Sequence, residues 1–118
     1  MAKRRQGKWQ RFAGIWSITK MSEWDKEYCN MEVQAFISIK QGGCGEFQFG
    51  LVQGDICGEV KKSGDDRIFD FTWEGQDELD AESGDGWFMV KEDGSAEGEI
   101  RIHRGDKSMF WAKRRKEK

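Results

Sequence analysis

Apolar and polar residues alternate along most of this chain, and glycine interrupts the alternation at short, regular intervals. A period of two is the strand period, because successive side chains of a strand point to opposite faces. No segment of ten or more residues carries a helical stripe. The pattern predicts strands near 12–20, 32–40, 45–52, 55–62, 67–74, 86–92, 95–103 and 107–113. The stretch 22–31 reads as a short helix or a loop.

Glycine-containing turns set an expected register for four hairpins. A two-residue turn at Gln53-Gly54 has glycine second, as type I′ requires, and opposes Leu51 to Ile56, Phe49 to Gly58 and Phe47 to Val60. A turn at Gly64-Asp65 opposes Val60 to Phe69, Gly58 to Phe71 and Ile56 to Trp73. A turn at Asp93-Gly94 opposes Trp87 to Ile100 and Met89 to Gly98. A turn at Gly105-Asp106 opposes Ile102 to Met109 and Ile100 to Trp111. Directly opposed residues share a face, and a slip of one residue turns a strand inside out. Together the four turns predict one continuous apolar face.

The first two strands are less constrained. Phe12, Gly14, Trp16 and Ile18 share one parity, whereas Val33, Ala35, Ile37 and Ile39 compete with Phe36 and Ser38. A two-residue loop at Gly42-Gly43 puts Phe36 beside Phe49, and a three-residue loop puts Ile37 beside Phe47. The Gln53-Gly54 register sets Cys57 opposite Gly50, so Cys44 falls six strand residues away and no disulfide is expected between Cys44 and Cys57 (roughly 20 Å at about 3.3 Å per residue).

An eight-stranded antiparallel meander with one apolar face covers that face, and loses its sheet edges, by rolling into an up-and-down β-barrel. The fold class is therefore all-β. The expected interior is Trp16, Ile18, Phe47, Phe49, Leu51, Ile56, Val60, Phe69, Phe71, Trp73, Trp87, Met89, Ile100, Ile102, Met109 and Trp111. Eight strands give a space that side chains fill or that holds one small ligand.

Gly14-Ile15-Trp16 at the start of the first strand, with Arg114 or Arg115 just after the last, resembles the signature of the calycins: lipocalins, fatty-acid-binding proteins and avidins. The resemblance covers only the two ends of the chain. It implies a calycin-like barrel closed at its base by a tryptophan packed near an arginine, here Trp16 and Arg114, with Gly14 as the third structural residue. The fatty-acid-binding helix pair and a lipocalin disulfide are not indicated. The chain also resembles a small bacterial family with the pattern G-x-W-x-I-x-x-M-x-x-W-D, here Gly14 to Asp25, which implies no activity.

Length and composition narrow the picture. At 118 residues the chain is expected to be a single domain. With six Trp, eight Phe and one Tyr it is too aromatic for a disordered chain. No apolar run of about 18 residues marks a membrane-spanning helix. Met1-Ala2-Lys3-Arg4-Arg5 leads into no apolar core of a signal peptide, and the three cysteines, odd in number, read as free thiols; both point to a cytoplasmic protein.

The net charge of −2 conceals an asymmetry. Ten of the 20 cations lie in the basic tails 1–11 and 113–118 against one of the 22 anions, leaving ten cations and 21 anions, or −11, in residues 12–112. The tails read as solvated charge, and the acidic body makes nucleic acid an improbable partner.

Few residues suggest chemistry. His103 with Ser108 and Asp106 falls around a surface turn, with no pocket or oxyanion donors implied, so no catalytic residues are assigned. Single histidine and scattered cysteines supply no metal ligand set, and the six carboxylates of 74–85 lack calcium-loop spacing and read as a solvated acidic loop. No cofactor is implied.

The leading expectation is a non-catalytic barrel that binds a small apolar or aromatic ligand. Its cavity would be lined by Phe49, Gly58, Phe71, Trp73, Trp87, Gly98 and Trp111, with Trp24 and Asp25 at the mouth. The alternative is a filled barrel acting as a protein-interaction module through an acidic outer face (Glu46, Glu59, Asp70, Glu97, Glu99) or through its basic tails.

Overall fold

A computed structural model describes residues 11–115 of the chain. Eight strands close into an antiparallel barrel in chain order: β1 (Gly14–Met21), β2 (Phe36–Ile39), β3 (Cys44–Phe49), β4 (Val52–Ser63), β5 (Asp66–Asp77), β6 (Asp80–Val90), β7 (Ala96–Ile102) and β8 (Lys107–Arg114). One short helix, α1 (Lys26–Cys29), lies in the connection between β1 and β2. Strand β1 pairs with β8 from Trp16 opposite Arg114 to Met21 opposite Phe110, with an irregularity between Ile18 and Lys20. That pairing removes the last free edge.

The β4–β5 hairpin turns at Gly64-Asp65 with the expected register: Val60 faces Phe69, Gly58 faces Phe71 and Ile56 faces Trp73. Between β2 and β3 the three-residue alternative holds, with Ile37 opposite Phe47. Three other registers differ from expectation, each for a definable reason.

Strands β3 and β4 turn at Gly50-Leu51, not at Gln53-Gly54, so Phe49 opposes Val52 and Cys44 opposes Cys57. Gly50 has a φ of +59°, as the turn demands, whereas Gly54 lies within β4 under the rings of Phe47 and Trp73. The displacement is an even number of residues, so Phe47, Phe49 and Ile56 still point inward. Val52 joins them, and Leu51 is half-buried in the turn. The two cysteines are disulfide-bonded, which overturns the expectation of free thiols there; Cys29 is the one free cysteine and is buried.

The β6–β7 and β7–β8 turns each hold three residues. Lys91 N donates to Ser95 O, and Ile102 N donates to Asp106 O. Each is one residue longer than the two-residue turn the sequence predicts, and the register shift changes the parity. Trp87 therefore opposes Glu99, and Met109 likewise. Phe88, Phe110 and Ala112 take the interior, while Trp87, Met89, Met109 and Trp111 are half-buried on the outer face. The stretch 74–85 is no loop: Glu74–Asp77 extends β5, Asp80–Asp85 begins β6, and Glu78-Leu79 is the turn.

The core is a column of aromatic rings in contact. Phe69 lies 5.7 Å from both Phe71 and Phe88 between centroids, Phe47 lies 5.0 Å from Trp73 and 5.9 Å from Phe49, and Trp16 lies 5.8 Å from Phe88. Glycines on neighbouring strands make room for these rings: a Cβ at Gly58 would come within 2.7 Å of Phe71 Cβ, and one at Gly86 within 2.6 Å of Phe71 Cζ. Phe12, fully buried ahead of β1, packs on Phe69 and Phe88 and plugs one end. Burial of each such side chain stabilises the fold by roughly 1.5–3 kcal/mol.

Candidate interaction surface

The residues expected to line a ligand cavity are divided by the structure. Phe49, Phe71 and Trp73 point inward and are buried, and Gly58 and Gly98 lie on the same inner face beside Phe71 and Phe88. Trp24 is half-buried at one mouth, 4.9 Å from Phe49 and 6.4 Å from Tyr28 between centroids. Asp25 faces solvent and caps α1, its carboxylate accepting from Tyr28 N at 2.9 Å. Trp87 and Trp111 are outside: Trp87 Nε1 donates to Glu99 Oε1 at 3.3 Å, and Lys20 Nζ stands 5.4 Å from the Trp111 ring centroid. The expected lining set therefore does not converge on one space.

Trp16 and Arg114 do meet. The guanidinium carbon of Arg114 lies 4.3 Å from the Trp16 ring centroid, Nη2 donates to Arg11 O at 2.7 Å, and Nη1 donates to Ala13 O. Trp16 Nε1 donates to Phe12 O at 2.9 Å. Gly14 has a φ of +124°, and a Cβ there would come 2.7 Å from Arg114 Nη1, so glycine is what lets the guanidinium lie across the chain. Partial withdrawal from water lowers the Arg114 pKa.

His103, Ser108 and Asp106 form no triad. Ser108 is buried; it donates to Met109 O at 2.9 Å and accepts from the backbone N–H groups of Ser22 and Glu23, while His103 is exposed in the β7–β8 turn. Among the described residues no group of three His, Cys, Asp or Glu is placed to hold a metal ion, and no helix is long and apolar enough to cross a membrane.

The outer face of β3 to β5 sets carboxylates directly opposite one another. Glu46 opposes Asp55, and Asp55 opposes Glu74, on three successive strands. One step along the barrel, Glu59 opposes Asp70. Short outward side chains beside them (Cys57, Thr72, Ser83) leave a surface groove of about 870 Å³ bordered by Asp55, Glu74, Ser83, His103 and Arg104, continuing past Cys57 and Thr72 to Asp85.

Some of these acids are paired. Arg101 holds Asp85 through Nε and Nη2 at 2.8 and 3.2 Å and Glu99 through Nη1 at 3.1 Å; the Asp85 hydrogen bond is the main reason the Arg101 pKa is raised. Lys61 reaches Asp70 at 2.9 Å, and Lys91 reaches Glu97 at 3.2 Å. No ion pair among the described residues reaches Glu46, Asp55 or Glu74.

The chain matches no protein-family model, and no curated protein matches it significantly.

Glu46, Glu59, Asp70, Glu97 and Glu99 are legible as outward residues from strand parity alone. Glu74 is not counted with them, because it falls where the expected strand 67–74 meets the acidic segment 74–85, which reads as a loop. A tighter signal was available there: Trp73-Glu74-Gly75-Gln76 continues the β5 alternation without a break.

Proposed function

We propose that this barrel is a non-catalytic protein-interaction module whose acidic outer face receives a basic segment of a partner protein. The observation that carries the reading is the row Glu46–Asp55–Glu74, three carboxylates at directly opposed positions on adjacent strands. Like charges directly opposed across strands destabilise a sheet. A cationic partner relieves that repulsion, and the groove beside Asp55 and Glu74 gives an extended segment a bed. The packed core supports the same reading, because the interior needs no ligand to be filled.

The test is anisotropy of a labelled Lys/Arg-rich peptide against a Glu/Asp-rich control. Binding of the basic peptide at about 20 mM salt, lost towards about 500 mM, is expected from screening of exposed charge. The variant E46Q/D55N/E74Q weakens it by about tenfold or more, the effect of about 1.4 kcal/mol. Equal binding of both peptides, or of neither at low salt, overturns the reading.

An apolar ligand inside the barrel is the second reading. It rests on the aromatic inner face at Phe49, Phe71 and Trp73, and it requires rings now in contact to part. A small molecule retained in native mass spectrometry would reverse the order of the two. The Trp16–Arg114 stack at the barrel base, together with the meander order, supports a calycin-like assignment of the fold.

A further inference from the structure

The Cys44–Cys57 disulfide joins directly opposed residues of β3 and β4, with Cα atoms 4.1 Å apart. The next pair along, Gly43 and Gly58, is backbone hydrogen-bonded, Gly58 N donating to Gly43 O at 2.9 Å. The cysteines thus occupy a non-hydrogen-bonded position, where opposed side chains stand closest and project from the same face. That face is the outer one. Both cysteines are exposed, and Cys57 borders the groove with Thr72 and Asp85. A thiolate from solution can reach either sulfur.

The two sulfurs have unlike electrostatic surroundings. Cys57 stands between Asp55 and Glu59, its neighbours along the outer face of β4. Its partner on β5 is Thr72, flanked on the same face by Asp70 and Glu74. Cys44 lies next to Glu46 on its own strand, but across the β2–β3 turn it faces Lys40, whose backbone N–H donates to Cys44 O at 2.9 Å. Lys61, the cation nearest Cys57 along β4, is committed to Asp70.

We propose that Cys44–Cys57 is an exchangeable disulfide that selects positively charged small thiols, with attack at Cys57 and departure of Cys44. The incoming thiolate forms a bond to Cys57 Sγ. The Cys57–Cys44 bond breaks with its electron pair passing to Cys44, which leaves as a thiolate beside Lys40 and takes up a proton from water. A second molecule of the thiol attacks the reagent's sulfur in the mixed disulfide and releases Cys57 as a thiolate. The two electrons that reduce the protein come from the two thiols, which end as their own disulfide. The carboxylates around Cys57 repel an anionic attacker and attract a cationic one, while Lys40 favours Cys44 as leaving group.

This inference is independent of the docking reading, because its probes are small thiols. The experiment measures reduction of the intact chain by cysteamine (cationic), 2-mercaptoethanol (neutral) and glutathione (anionic), each rate normalised to thiolate concentration and to the same thiol's rate with an uncharged model disulfide. Cysteamine is expected to exceed glutathione by about tenfold at low salt, with the ratio falling below about twofold near 1 M salt as the charges are screened. Peptide mapping of the trapped mixed disulfide places the reagent on Cys57. The variant D55N/E59Q reduces the discrimination, and Lys40→Gln moves part of the adduct to Cys44. Three titratable thiols in the air-oxidised, unfolded protein, a glutathione rate equal to that of cysteamine, or an adduct chiefly on Cys44 would each overturn the proposal.

Discussion

The two ends of the barrel are closed by different means. At one end, residues 11–16 cross the opening, Phe12 enters the core, and Arg114 from the last strand binds two carbonyls of that crossing while stacking on Trp16. At the other end the connection between β1 and β2 folds over, with Trp24 resting on Phe49 and Tyr28 beside Gly50. The first closure seats two fully buried rings, Phe12 and Trp16, beneath an exposed arginine and ties the first strand to the last. The second is half-exposed and rests on a helix of four residues, too short to be stable without its packing. Stability should therefore be concentrated at the Trp16 end, and the Trp24 end should open at lower cost.

The largest expected effect tests that ranking directly. Trp16→Ala removes a fully buried indole and the floor on which Arg114 lies, a loss of about 3–5 kcal/mol. Trp24→Ala removes a half-buried ring and should cost about 1.5–3 kcal/mol. Urea unfolding of both variants gives the comparison. Equal losses would mean that the two ends are one cooperative unit with no weaker side.

A pair of glycines sharpens the comparison with the backbone held constant. Gly50, at the Trp24 end, and Gly64, in the β4–β5 turn at the Trp16 end, have φ values of +59° and +64°. Alanine at either should cost about 1–2 kcal/mol for the left-handed conformation. At Gly64 nothing lies within 4 Å of the added Cβ, whereas at Gly50 the Tyr28 ring lies 2.2 Å away. Tyr28 cannot retreat freely, because its hydroxyl accepts from Leu51 N at 3.2 Å. Gly50→Ala is therefore expected to exceed Gly64→Ala by a further 1–3 kcal/mol or so from overpacking. Matching thermal shifts for the two would show that the helical connection yields readily.

The same glycines explain what the sequence discloses. Gly64-Asp65 reads correctly because the residues around it, Val60, Phe69 and Phe71, admit one inward register. Gln53-Gly54 carries as good a turn signal as Gly50-Leu51, yet Gly54 is flat strand whose missing side chain makes room for Phe47 and Trp73. Glycine marks a bend and a close ring contact with the same letter, and only three-dimensional packing tells them apart. Loop length is equally silent. One residue more in the 92–94 and 103–105 turns exchanges Trp87 for Phe88 and Trp111 for Phe110, and both alternatives are aromatic. The closed all-β barrel survives those errors because it depends on alternation, while a site named from inward residues does not. The Trp16–Arg114 contact follows from the calycin resemblance and not from alternation, and it needs only the first and last strands to pair.

Arg114 sets the next test. Arg114→Lys keeps the charge but loses the planar fork that spans the carbonyls of Arg11 and Ala13 and the face that stacks on Trp16. Lysine should therefore recover little of the loss caused by Arg114→Ala, both variants falling about 1–3 kcal/mol below the parent as the carbonyls lose their donor. If lysine restores stability in chemical denaturation, charge alone closes that end.

The smallest effect is a pH dependence belonging to the Trp16 end. Asp93, in the β6–β7 turn, accepts from Ser95 Oγ at 2.6 Å and from Ser95 N at 2.9 Å, and the hydroxyl bond first, then the backbone bond, holds its pKa below the usual value. A carboxyl depressed in the folded state contributes stability above its unfolded pKa and loses it as pH falls through the folded value. The parent should thus be more stable than Asp93→Asn at neutral pH, and the gap should narrow below about pH 4 and close at still lower pH. Paired urea titrations at several pH values measure it. A gap that persists unchanged in acid would assign the turn's stability to its three-residue geometry and not to the carboxylate, leaving Arg114 and Trp16 as the groups that distinguish this end from the other.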